Sequence, residues 1–67
     1  GIWLEIPNDI PAQITFVTDN GRVIKMDEGY EQVDSTIYTT RGYHLSESPR
    51  LTIEIDTVMG DLRLTNC

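Results

Sequence analysis

One cysteine, one histidine and five aromatic residues in 67 positions leave much of protein chemistry without material. A single thiol, Cys67, allows no internal disulfide, and with no resolving partner it makes a weak redox centre. His44 stands alone, so no Cys/His set can hold a structural metal, and no cofactor is expected. Basic residues are scarce: five against eleven acids give a net charge of -6. That balance repels phosphate backbones and anionic headgroups, which argues against nucleic acid and against electrostatic membrane attachment. Apolar runs stop at two or three residues, so nothing here crosses a bilayer or forms a signal-peptide core, and the fragment is expected to be soluble.

Scarcity extends to size. A chain this short makes one domain, 1–67, and buries only about 60% of the surface its unfolded form exposes. Without disulfide or metal, extra stability has to come from self-association or from further chain. Gly1 opens abruptly on a strand and reads as a cut end of a longer protein.

What the chain does have is alternation. Leu51, Ile53 and Ile55 alternate with Thr52, Glu54 and Asp56, the period of two that gives a strand one apolar and one polar face. The pattern meets Met59-Gly60, where glycine allows a corner, and resumes at Leu62 and Leu64 around Arg63. Ile2, Leu4 and Ile6 alternate similarly until Pro7, which cannot donate to a ladder. Ala12, Ile14 and Phe16 form a second strand over 12–18, and Asp19-Asn20-Gly21 turns it into a third over 22–26. Residues 30–35 carry no clear pattern, 36–40 read as a strand, 43–45 as a short extended piece and 46–50 as a loop. No window shows the helical spacing of apolar residues, so the expected class is all-β.

Two architectures fit. Placing Gly21 over Gly60 matches Ile14 with Ile53, Phe16 with Ile55, Thr18 with Thr57 and Val23 with Leu62, a repeat at an offset of 39 residues. Gly1, Gly21, Gly42 and Gly60 also precede extended segments at intervals of 20, 21 and 18, a step typical of solenoid turns. A short β-solenoid-like stack with glycine corners is therefore the first expectation. The alternative is an antiparallel meander or sandwich in which Asn20-Gly21 and Met59-Gly60 close hairpins, setting Asp19 against Arg22 and Asp56 against Arg63.

Glu5-Ile6-Pro7 with Ile10, then Val17-Thr18 with Gly21 and Val23, then Leu51, Ile53, Ile55, Thr57, Gly60, Leu62 and Leu64 occur in an order that resembles a known bacterial domain. It is the C-terminal β domain of LiaF-like proteins, the cell-wall-active-antibiotics response family. The family's paired glycines are here reduced to Asn20-Gly21 and Met59-Gly60. The resemblance implies a right-handed solenoid-like domain, tied to a membrane by segments upstream, in an envelope-stress regulator. Such a regulator restrains the sensor kinase of a two-component system by contact. The motifs mark strand faces and corners, and no catalytic residue is carried over.

Residues capable of chemistry are few. His44 has Ser46, Glu47 and Ser48 nearby in sequence, but no nucleophile elbow accompanies them, so an exposed histidine is the better reading and no enzyme is expected. Asp19-Asn20 and Asp27-Glu28 lack the spacing of a calcium loop and read as solvated turn acids. The aromatics Trp3, Tyr30, Tyr38 and Tyr43 are the candidate interaction residues, two of the four being expected to stay partly exposed. The leading functional expectation is a non-enzymatic protein-interaction domain that also forms homo-oligomers through the terminal strands Ile2–Ile6 or 61–64. The alternatives are a module that binds cell-wall glycan and a structural repeat of a larger surface protein.

Overall fold

The computed structural model describes residues 1–45 and 50–66. The expected loop over 46–50 lies outside them except for Arg50, and so does Cys67. Among the described residues seven strands follow in order: β1 (Ile2–Ile6), β2 (Ala12–Asn20), β3 (Val23–Met26), β4 (Tyr30–Gln32), β5 (Ile37–Thr40), β6 (Leu51–Met59) and β7 (Leu62–Asn66). The fold is all-β, with one 3-10 turn among the described residues, at Tyr43–Leu45.

The strands form two open sheets, β1-β7-β3 and β4-β5-β2-β6. In the first sheet both pairings are parallel; in the second, β2 and β6 are parallel while β5 runs antiparallel to β2 and to β4. The glycine corners do not reverse the chain. They carry it from one sheet to the other, β2 into β3 at Gly21 and β6 into β7 at Gly60. The expected hairpin pairs Asp19 with Arg22 and Asp56 with Arg63 are therefore absent, because each strand's neighbours come from elsewhere in the sequence.

The 39-residue repeat is the pairing register itself. Ile14 lies opposite Ile53, Phe16 opposite Ile55, Thr18 opposite Thr57 and Val23 opposite Leu62. A bulge after Val23 then shifts β3 by one, so that Lys25 faces Arg63. At the corner the two bent units stack closely. The Gly60 N–H donates to the Asn20 carbonyl at 3.1 Å, and a Cβ on Gly21 would stand 2.0 Å from the Gly60 carbonyl oxygen. Gly60 itself has φ +142, which favours glycine. Gly1 falls at the same corner one strand further on, where the Ile2 N–H donates to the Asp61 carbonyl at 2.8 Å. Gly42 does not join them: it follows β5 with φ +84, and among the described residues nothing lies within 4 Å of where its Cβ would stand. The spacing of about 20 residues between glycines is thus no structural period here, since β4 and β5 are inserted before the chain returns as β6.

Apolar residues of both sheets face one thin core, made of Ile6, Ala12, Ile14, Phe16, Tyr30, Tyr38, Leu62 and Leu64. Tyr30 crosses it, and its hydroxyl donates to the Thr65 carbonyl at 2.7 Å, tying β4 to the opposite sheet. Asn66 closes one end. Its Oδ1 accepts from the Gly29 N–H at 3.1 Å, its Nδ2 donates to the Ile6 carbonyl at 3.2 Å, and its own N–H donates to the Asp27 carboxylate at 3.0 Å.

Two local expectations change. Residues 30–32 form β4, which pairs with β5 through a turn where the Ser35 N–H donates to the Asp34 carboxylate at 2.7 Å. Residues 43–45 form the 3-10 turn rather than an extended piece. No strand among the described residues lies beside them, and a segment without a ladder partner satisfies its backbone locally.

Candidate functional site

The outer residues of the first sheet are set by parity. With Ile2, Leu4, Leu62 and Leu64 turned inward, Trp3 and Arg63 face out as a direct pair, and the bulge brings Lys25 opposite Arg63 on the other side. Trp3, Arg63 and Lys25 thus form one row across β1, β7 and β3. Trp3 is 66% exposed, yet the orientation of its indole is set: Nε1–H donates to the Thr65 hydroxyl at 2.7 Å. That hydroxyl in turn donates to the Leu4 carbonyl at 3.4 Å. One shallow groove beside the row is lined by Trp3, Lys25, Arg63 and Thr65, and another by Trp3, Arg63, Ile24 and Asp61.

The second surface is the free edge of β6. This strand is nine residues long and, among the described residues, pairs on one side only, with β2. Its inward row shows what is uncovered. Ile14 is 0% exposed on β2, whereas Ile53 beside it on β6 is only partly buried, and Met59, of the same parity, is 72% exposed. The outward row carries Glu54, Asp56 and the exposed Val58. The other free edges offer less: β4 has three residues, β3 has four and a bulge, and β1 has five.

The four candidate aromatics divide evenly. Trp3 is open to solvent and Tyr43 is half-buried, while Tyr30 and Tyr38 are core residues with no ring face to offer. Burial raises the Tyr38 phenol above its usual range. Tyr43 meets His44 edge-on at 5.3 Å, and the Arg50 guanidinium lies 4.8 Å from the Tyr43 ring centre. His44 is exposed, and its sequence neighbours Ser46, Glu47 and Ser48 lie outside the described residues. Asp27 serves structure by accepting from Asn66, and Asp19 is exposed. Among the described residues no cluster of three or more His, Cys, Asp or Glu is placed to hold a metal, and no helix is long and apolar enough to cross a membrane.

Of the two edges expected to bridge copies, only one is an edge. Ile2–Ile6 is β1, at the margin of its sheet, but 61–64 leads into β7, which is paired on both sides. Sequence reasoning missed the β6 edge because nothing local shows which strand ends a sheet. Comparison with protein-family models, with curated proteins and with solved structures returns no match.

Proposed function

We propose that this chain is a non-enzymatic protein-interaction domain, built as a short right-handed solenoid-like stack, that receives an extended partner segment along β6. The observation that carries this reading is the nine-residue free edge of β6 with its half-covered Ile53 and Ile55. A strand with unpaired N–H and C=O groups and an uncovered apolar row accepts another strand, the backbone giving affinity and alternate side chains giving specificity. β1 already lies against β7 on the same flank, so an added parallel strand beside β6 extends an existing layer. The partner's chemistry follows from the edge: apolar residues over Ile53 and Ile55, and basic ones beside Glu54 and Asp56.

A second copy fits this edge poorly. Antiparallel pairing of β6 with itself about Ile55 sets Glu54 against Asp56 twice, and like charges directly opposite are destabilising. The order of sequence motifs and the corner residues, which resemble those of LiaF-like proteins, support placing the domain in an envelope-stress regulator tied to a membrane, where the partner is a sensor kinase.

The test is a titration with a nine-residue peptide alternating valine and lysine, followed by amide shifts. Protection and shifts along β6, weakened by the Glu54→Lys/Asp56→Lys pair, are expected. Shifts spread equally over β1, β3 and β4, or no shifts at all, refute the edge as the site. Sedimentation distinguishes self-association: a dimer that persists in the β6 variants forms elsewhere than at β6.

A further inference from the structure

The Trp3 row is a second surface, distinct from the β6 edge, and its chemistry is different. In a chain of net charge -6 with five basic residues, two of the five stand in line with the only tryptophan. Neither Arg63 nor Lys25 has an ion-pair partner within 4.0 Å among the described residues. Acids share the face: Glu5 lies opposite Thr65, and Asp61 precedes the row with its Oδ1 accepting the Arg22 N–H at 3.1 Å. They flank the row without neutralising it by contact.

We infer that Trp3, Arg63 and Lys25 form a binding site for an acidic sugar, a pyranose ring that carries a carboxylate. Each residue has a part that follows from its position. The indole offers an open apolar face, and its bond to Thr65 holds that face still, which spares a ligand the cost of ordering it. The C–H face of a pyranose stacks on such a ring. Arg63 sits one strand spacing away, about 4.8 Å, where its fork meets a ring carboxylate in two parallel hydrogen bonds. Lys25 stands one spacing further and supplies a point charge to the next sugar or to the same carboxylate. The grooves on either side of the Trp3–Arg63 line give the chain of sugars a path across the strands.

Other anions answer only part of this arrangement. An acidic peptide satisfies the two cations but leaves the indole face uncovered. An anionic membrane meets the indole and the cations, yet it lays a continuous sheet of charge against Glu5 and Asp61 on the same face, whereas carboxylates spaced one sugar apart meet Arg63 and Lys25 alone.

Titration of the 67-residue chain with a galacturonate trisaccharide, read by the fluorescence of Trp3 and by the Arg63 and Thr65 amide shifts, tests the assignment. A saturable response is expected, with a dissociation constant on the order of millimolar for so small a ligand. Arg63→Gln weakens it at least tenfold and Lys25→Ala about threefold, in line with a charge-assisted pair and a screened point charge. Trp3→Ala abolishes the amide shifts while circular dichroism stays that of a folded chain. A neutral trisaccharide of equal length gives no saturable change. The inference is overturned if the neutral sugar binds as well, if polyglutamate produces the same shifts, or if only phosphatidylglycerol vesicles change the emission. The absence of any response up to tens of millimolar overturns it too. None of these readouts involves β6, so failure here leaves the edge-strand proposal standing, and the reverse.

Discussion

Gly21→Ala probes the stacked corner more directly than any other substitution. A Cβ at residue 21 stands 2.0 Å from the carbonyl oxygen of Gly60, 2.8 Å from its carbon and 3.3 Å from its nitrogen. All three are backbone atoms, so no rotamer relieves the overlap and the β2–β3 unit must move away from β6–β7. That movement loosens two hydrogen bonds, Gly60 N–H to Asn20 at 3.1 Å and Leu62 N–H to Arg22 at 3.0 Å. At about 1 kcal/mol net for each bond, plus the partial uncovering of Leu62, the loss is about 3 kcal/mol. A domain of this length holds about 3–10 kcal/mol in all, so a third or more of its stability goes. Gly42→Ala is the control: its φ of +84 carries strain, but nothing lies within 4 Å of the added carbon. Left-handed backbone alone costs about 1–2 kcal/mol there. Urea unfolding followed by far-ultraviolet circular dichroism measures both, and the midpoint shift for Gly21→Ala is expected to be the larger at unchanged m-value. Equal shifts, or a loss below about 1 kcal/mol at residue 21, would refute the stacking and the parallel register that depends on it.

Two further outcomes follow from the core and its closing residue. Asn66→Ala removes the acceptor of the Gly29 N–H and the donor to the Ile6 carbonyl, and is expected to cost about 2 kcal/mol by the same unfolding assay. Gly29→Ala places a carbon 2.1 Å from Asn66 Oδ1, so the double variant should cost clearly less than the two single losses added together. Tyr38 lowers stability at alkaline pH: burial raises its folded-state pKa, so the unfolded chain loses this proton first. Its contribution is complete below about pH 10 and falls away as pH rises through the folded value. Tyr38→Phe should therefore flatten the pH dependence of stability above pH 10, and an unchanged slope in that variant would contradict the assignment.

Much of the fold is readable before any coordinates are, and for identifiable reasons. Period-two alternation in β1, β2 and β6 survives because each strand turns one face to the core, and the match of Gly21 with Gly60 records two bent units pairing residue for residue. Trp3 is legible as exposed by its parity between Ile2 and Leu4. β4 carries no signal of its own, since three residues with a single apolar side chain make no pattern. The fates of the tyrosines are set by tertiary contacts: Tyr30 is buried because its hydroxyl finds the Thr65 carbonyl across the core. Neither the Trp3–Arg63–Lys25 row nor the β6 edge is local information. The first needs β1 and β3 to meet on β7, with a bulge in one of them, and the second depends on which strand is left without a neighbour.

The position of β7 between β1 and β3 governs how this molecule comes into being. During synthesis β1 emerges long before its neighbour exists, because Ile2 is matched to Leu62. The same holds for β3. Closing loops of that length before any reward arrives makes assembly slow. A nascent chain that stops before β7 would present β1 and β3 as two orphaned strands instead of a finished layer, and quality control would meet it in that state.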